Sequence, residues 1–440
     1  MRHALGKKSI IPDRDVFKTI FRDQWEEFKE KYPQYNTEQY DTPVQKMLGC
    51  GDEFNGYSEH ICMYCGRDRR RVPFSCKSCF CLSCAKQYVD NFVSKVGAML
   101  HPGVIYRHIV LTLPEQLRLV FFRERHNGSL LSAFMRYGYE CLEDVVSTVK
   151  RKDLKIGCIV VVQTHGRSGR YNPHLHIIMT SGGVQTEKET WHDLGYFKYE
   201  IIHNLKVTRK KWQYHLFKMV KLYFDTEEIK QLVNELWKKY PKGLVANVSN
   251  GNVPGDISGL ARYLAKYVAS PPIAVRRILD YDGESVTYWY QDHESKSKKV
   301  EKVDVDTFIG RMVQHIMPKG FKRVRYYGLE ATKTFKKWAC VICEGIKRIG
   351  RIVKGAYQIV RSKKYRERYK EINGIDPMRC QYCGNEMELV TIWHPKYGIL
   401  YDLFEHLEEV KDEPEPKIDR KGGHTVRPSS GGIQLSLFSV

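Results

Sequence analysis

The stretch "YNPHLHIIMTSGG", residues 171–183, carries two histidines one residue apart. Its apolar run reads as a β-strand, in which residues i and i+2 face the same side. His174 and His176 therefore project together, with Leu175 buried behind them. Imidazoles spaced this way can hold one divalent ion, but two ligands are too few and a third must lie nearby. The preceding strand-like run, "KIGCIVVVQT", ends in Gln163, Thr164 and His165, and the polar, glycine-bearing "HGRSGRYNP" joins the two runs as a long hairpin loop. Gln163 then brings an amide oxygen beside the pair. Pro173 and the following "TSGG" are residues that often border a site. The competing reading is a pair of ordinary, hydrogen-bonded histidines. A histidine-triad nucleotide site would need a third alternating histidine at position 178, where Ile178 stands.

The segment "GLARYLAKYVASPP" supplies a partner chemistry. On a helix, Tyr263 and Tyr267 share one face, and Lys266 lies beside them. A phenol titrates near ~10 and is a poor nucleophile at neutral pH. A metal polarising a phosphodiester and a cationic neighbour would help it attack. Tyr365 and Tyr369 repeat the spacing in "KKYRERYKE", but they sit among charges away from any histidine pair and read as a solvated or DNA-facing surface.

The 13 cysteines divide into three sets. Cys62-x-x-Cys65 and Cys81-x-x-Cys84 have the spacing of a tetrahedral four-cysteine zinc site, with Cys50, Cys76, Cys79 and His60 as further donors. Arg67, Arg69 and Arg71 lie between the pairs in a basic loop suited to phosphates. Cys340-x-x-Cys343 and Cys380-x-x-Cys383 form a second set, and sharing one zinc requires the intervening basic helical stretch to fold back. Cys141 and Cys158 sit inside apolar patterns as ordinary buried thiols.

These groups need a scaffold, and the remaining pattern outlines it. Helices are expected over 12–31, 85–100, 115–152 and 209–239, over "ISGLARYLAKYVA", and through most of the basic region 329–371. Strands are expected at "VIYRHIVLTLP", in the two histidine-hairpin runs, at 196–203, at "GLVANVSN", and as a hairpin of "SVTYWYQD" with "SKKVEKVDV". Strands separated by helices, with hairpins among them, argue an α+β fold, an antiparallel sheet with helices packed on it. The tail after about residue 411 is polar and reads as loose. Lys+Arg 72 against Asp+Glu 51 gives a net charge of +21, which points to nucleic acid as partner. No apolar run suits a membrane span, and the N-terminus lacks the apolar core of a signal peptide, so a cytoplasmic protein is expected.

Taken together, "NPHLHIIMTSGG" and the "YLAKY" about 85 residues later resemble the HUH nucleases with two tyrosines. More closely, the chain resembles transposases of the insertion sequence ninety-one family. "CMYCGRDRRRVPFSCKSCFCLSCA" resembles their zinc-binding domain, and "RHIVLTLPEQLR" the strand opening their catalytic domain. "VVQTHGRSGRYNPHLH" resembles the approach to the histidines, and "FIGRMVQHIMPKGFKRVRYYGL" the end of their shared region. The resemblance covers residues 45–330. It implies a helical segment 1–44, a zinc-binding DNA-recognition domain 45–100, a catalytic domain 101–330, a basic helical region 331–410 and a tail 411–440. It also implies a bacterial, nucleoid-associated endonuclease and strand transferase of rolling-circle type, acting on single-stranded DNA, transposon-end hairpins and target DNA. His174 and His176 would bind Mg²⁺ or Mn²⁺. Tyr263 and Tyr267 would be the nucleophiles, leaving a 5′-phosphotyrosine and a free 3′-OH. Many relatives have histidine where Gln163 stands, so its role as third ligand rests on its amide oxygen. Counterparts of Cys50 and Cys76 recur in the family, which leaves one or two N-terminal zinc ions open. A rolling-circle replication initiator or relaxase of a plasmid or phage would share this chemistry. A non-catalytic zinc-ribbon DNA binder would share only the cysteines and the charge.

Overall fold

The computed structural model describes residues 15–150, 152–194, 205–248, 257–268, 271–292, 295–349 and 364–405. In chain order the elements begin with α1 (Val16–Lys31), α2 (Glu38–Leu48), β1 (Tyr57–Ile61), β2 (Arg69–Pro73) and α3 (Ala85–Gly97). The central region comprises β3 (Tyr106–Thr112), α4 (Glu115–Arg123), α5 (Gly128–Lys150), β4 (Lys155–His165), β5 (Tyr171–Gln185), β6 (Thr190–Asp193), α6 (Leu205–Phe224), α7 (Glu227–Lys239), β7 (Ala246–Val248) and α8 (Ile257–Val268). The chain continues through β8 (Ile278–Tyr281), β9 (Ser285–Gln291), β10 (Lys298–Asp304), α9 (Val305–Val313), β11 (Val324–Gly328), α10 (Phe335–Arg348), α11 (Tyr365–Asn373), β12 (Glu388–His394) and β13 (Gly398–Asp402).

The largest sheet runs β11-β4-β5-β3-β7, with β6 paired to β5. Its strand pairs are antiparallel. The run "KIGCIVVVQTH" is apolar on both of its alternating faces because both faces of the sheet are covered. On one face Leu111, Val160, Val162, Leu175 and Ile177 pack with Phe134 and Leu142 of α5 and Trp212 and Phe217 of α6. On the other, Tyr106, Ile159, Val161 and Ile178 pack with Val96 of α3, Leu260 and Ala261 of α8, and Trp338 of α10. The fold is thus α+β, with helices on both sides of an antiparallel sheet. Two hydrophobic cores separated by one sheet hold the strands in register, since a one-residue slip would exchange the two faces.

Two smaller sheets flank this body. The order β10-β9-β8 includes the expected hairpin of β9 with β10. Phe17, Phe21, Trp25 and Phe28 of α1 pack with Phe308 and Ile309 of α9 and with Val286 and Tyr288 of β9. The other small sheet runs β13-β12-β1-β2 and joins strands more than 300 residues apart in sequence, as in the pairing of Glu59 with Thr391.

Several boundaries differ from those the sequence suggests. The single helix expected over 115–152 is two, because Asn127 accepts the Ser129 amide and starts α5 afresh. The stretch 209–239 is likewise split, with the Thr226 side chain capping α7 at the Ile229 amide. Strands β12 and β13 lie within 331–410, the region expected to be basic and helical. The strand expected at 196–203 and the tail after 411 lie outside the described residues.

Candidate active site and metal centres

The histidine pair lies in the middle of the central sheet. In β5, His174 faces Gln163 of β4 on one side and Thr112 of β3 on the other. His176 lies opposite Val161 and Val110. Alternation sends Leu175 to the α5 side and both imidazoles to the α8 side, with ring centroids 4.8 Å apart. Gln163 Oε1 is 3.0 Å from His176 Nε2, and Gln163 Nε2 is 3.2 Å from His165 Nε2. His174 Nδ1 lies 2.7 Å from the Asn172 carbonyl oxygen, so it donates there and turns Nε2 outward.

A third imidazole enters from β3. His108 Nε2 is 2.9 Å from His176 Nδ1, and His108 Nδ1 is 2.8 Å from the Tyr263 hydroxyl. Tyr263 reaches the sheet from α8, which is held against it by Leu260, Ala261 and Ala265. The groups form one line: Tyr263, His108, His176, Gln163, His165. Lys266 and Tyr267 follow Tyr263 on the same helix, with side chains outside the described set. Burial disfavours the charged imidazolium at His108, His174 and His176. It brings His108 down to about 4 and holds His176 well below and His174 below the ordinary histidine value. Neutral imidazoles keep a lone pair for an ion, and two imidazole nitrogens with an amide oxygen form a mixed nitrogen–oxygen set that suits Mn²⁺ and accommodates Mg²⁺. Tyr365 and Tyr369 lie side by side on α11, with ring centroids 5.7 Å apart and planes tilted by 43°.

The cysteines gather into two quartets that interleave in sequence. Cys50, Cys76, Cys81 and Cys84 form one, with the Cys84 sulfur 3.4 Å from Cys50 and 3.6 Å from Cys76. Cys62, Cys65, Cys380 and Cys383 form the other, with the Cys65 sulfur 3.6 Å from both Cys62 and Cys380. This corrects the partnering drawn from spacing, which put Cys62 and Cys65 with Cys81 and Cys84. The β1–β2 hairpin carries Cys62 and Cys65 away from the start of α3, where Cys81 and Cys84 sit against α1 and α2. Cys340 and Cys343 lie on α10, with Cys340 exposed, and join neither quartet. Cys79 also stays outside both, and His60 Nε2 faces the Ser58 hydroxyl at 3.3 Å.

The three arginines of the basic loop divide by role. Arg69 and Arg71 both bind the buried carboxylate of Glu59, at 2.7 and 2.8 Å. Their hydrogen bonds, that of Arg69 foremost, hold the Glu59 carboxyl below its ordinary value. Arg67 instead lies over the Tyr382 ring, 5.4 Å from its centroid. Among the described residues, no helix is long and apolar enough to cross a membrane.

Two family models match the chain. "Transposase zinc-binding domain" covers residues 20–113, and "Putative transposase" covers residues 157–337. The "Transposase for insertion sequence element IS801" of Pseudomonas savastanoi pv. phaseolicola is 26% identical over 362 residues, spanning 78% of this chain and 82% of its own. The "Putative transposase y4qJ" of Sinorhizobium fredii is 24% identical over 383 residues, spanning 85% of this chain and 94% of its own. No solved structure matches the chain. Both models and both relatives are transposases, enzymes that cleave and transfer DNA strands, and the zinc-binding model contains the first cysteine quartet. Over residues 20–113 and 157–337 the chain resembles transposases of the insertion sequence ninety-one family.

Proposed function

We propose that this transposase nicks and rejoins single-stranded DNA at the ends of its element by tyrosine transesterification, in a rolling-circle mode. The observation that carries the reading is the hydrogen-bonded line from the Tyr263 hydroxyl through His108 to His176 and Gln163. A divalent ion held by His174, His176 and Gln163 would polarise the scissile phosphate as a Lewis acid.

The residues then divide the work. Bringing a phenol of pKa ~10 to its anion at pH 7 costs about 4 kcal/mol, so the nucleophile needs a partner at its oxygen. With the ion-facing Nε2 of His176 unprotonated, its Nδ1 carries the proton and donates it to His108 Nε2. A neutral His108 then carries its own proton on Nδ1, 2.8 Å from Tyr263, and donates it to the phenol oxygen. His108 thereby orients a lone pair of that oxygen and stabilises the anion. The Tyr263 hydroxyl gives up its proton to solvent, its oxygen attacks phosphorus, the P–O3′ bond breaks, and the departing oxygen takes a proton from solvent to become a 3′-OH. The 5′-phosphate remains on tyrosine. Tyr267 would serve as the second nucleophile and Lys266 as a cationic neighbour, on the ground of their spacing from Tyr263. The excess of basic side chains suits the polyanionic strand.

The test uses oligonucleotides from the ends of the element, single-stranded and duplex, with Mn²⁺ or Mg²⁺. The reading predicts metal-dependent nicking of the single strand, abolished by His174→Ala or His176→Ala with DNA binding retained. Binding without nicking of any single-stranded end would support a non-catalytic DNA binder instead. Nicking confined to a plasmid or phage replication origin would support an initiator.

A further inference from the structure

The second cysteine quartet joins two distant parts of the chain, and half of it lies outside both matched models, which end at residues 113 and 337. We propose that Cys62, Cys65, Cys380 and Cys383 bind one structural Zn²⁺ that fastens the segment 365–405 to the β1–β2 hairpin.

The two contributing loops have the same form. Each reads Cys-x-Tyr-Cys-Gly, as "CMYCG" at 62–66 and "CQYCG" at 380–384. In each, the glycine adopts a positive φ, +67° at Gly66 and +73° at Gly384. The Gly66 amide donates to the Cys62 carbonyl at 2.9 Å, and the Gly384 amide to the Cys380 carbonyl at 3.0 Å. This tight turn aims both sulfurs of a pair to one side and needs a residue without a Cβ at its end. Two such turns face each other, and the four sulfurs lie within 4.8 Å of one another. Three of the separations are 3.5 Å for Cys62–Cys383 and 3.6 Å for Cys65–Cys62 and Cys65–Cys380. A tetrahedral zinc with bonds of ~2.3 Å places its sulfurs about 3.8 Å apart. The separations fit that geometry and are far longer than a disulfide bond of ~2.05 Å.

The surroundings show why a metal is needed there. Besides the cysteines, the buried cluster contains only Met387, far too little apolar surface to hold a segment in place. Polar contacts close to the sulfurs set the geometry of approach, while further along the junction Tyr57 and Phe74 pack near Trp393 and His394. The buried Asp68 carboxylate accepts the Gln381 amide at 2.8 Å, and Arg70 donates to the Pro377 carbonyl at 2.6 Å. Strands β1 and β12 pair directly behind the sulfurs. With four thiolates closing on one ion, these few contacts become a permanent junction.

The test is metal content of the purified full-length chain, by plasma mass spectrometry, for wild type and cysteine variants. The wild type should hold two zinc ions per chain. C62S/C65S and C380S/C383S should each hold one, the quadruple variant still one, and C340S/C343S two. A wild type with one zinc, loss of a second ion in the quadruple variant, retention of two in C380S/C383S, or loss in C340S/C343S would each overturn the shared site. Should the variants fail to fold, cobalt titration of the wild type decides. Two tetrahedral sites with all-thiolate absorption support the proposal, and a single such site refutes it.

Discussion

Replacing His108 by alanine separates its two roles. The side chain is buried and spans 2.9 Å to His176 and 2.8 Å to Tyr263. Removing it leaves the His176 Nδ1–H without its acceptor, so the ring is no longer oriented for an ion. Loss of such an outer partner typically lowers metal affinity by ~10–100-fold, which is about 1.4–2.7 kcal/mol. It also leaves the Tyr263 oxygen without the donor that stabilises its anion, and loss of one such hydrogen-bond donor lowers a rate by ~10²–10³-fold. The two effects part company with metal concentration. In a Mn²⁺ titration followed by electron paramagnetic resonance, H108A should bind Mn²⁺ ~10–100-fold more weakly. At saturating Mn²⁺, single-turnover nicking should remain slower by ~10²-fold or more. Tyr263→Phe should leave Mn²⁺ affinity at the wild-type level. A H108A variant with wild-type Mn²⁺ affinity and nicking within a few-fold at saturation would refute the relay.

Other expectations follow from the same geometry. His315 is buried between the Thr164 hydroxyl and the Gly169 carbonyl, and burial brings it down to about 3, with His101 at about 4. Because the folded values lie below the unfolded 6.5, the unfolded chain takes up protons first and stability falls as pH drops below 6.5. At pH 5 each costs about 2 kcal/mol; urea melts of wild type and His315→Gln should show a shallower acid loss in the variant, and equal slopes would refute the assignment. A Cβ at Gly182 would come 2.0 Å from the Trp191 ring, so Gly182→Ala should destabilise the β5–β6 edge by about 1–3 kcal/mol, read from thermal melts. Arg67→Ala should weaken binding to single-stranded DNA and lower the salt slope by about 0.7, whereas Arg69→Ala should lower the melting temperature by removing one of the two arginines paired with the buried Glu59.

The histidine hairpin was legible because its apolar alternation fixes which side chains share a face, and the loop length places Gln163 opposite His174. His108 was not, since one histidine in "RHIVLTLP" carries no pattern of its own. Its meaning comes from β3 lying beside β5, a neighbour relation set by packing across the whole sheet. The "TSGG" glycines read as a site border, yet Gly182 makes room for Trp191 and Gly183 for Leu154. A Cys-x-x-Cys pair specifies half of a metal site, and nearness in sequence suggested the wrong other half. The better signal was the shared Cys-x-Tyr-Cys-Gly form of the two distant pairs, against Cys81 and Cys84, which lead directly into α3.

In the proposed reaction a tyrosine of α8 becomes covalently joined to DNA. The most direct measurement is incubation with a single-stranded end oligonucleotide and Mn²⁺, followed by denaturing gel electrophoresis and mass spectrometric mapping of the DNA-linked peptide. A metal-dependent adduct is expected on the peptide bearing Tyr263 and Tyr267, lost in the Tyr263→Phe/Tyr267→Phe double variant. Nicking without a protein–DNA adduct, or an adduct on a tyrosine elsewhere in the chain, would contradict the proposed reaction.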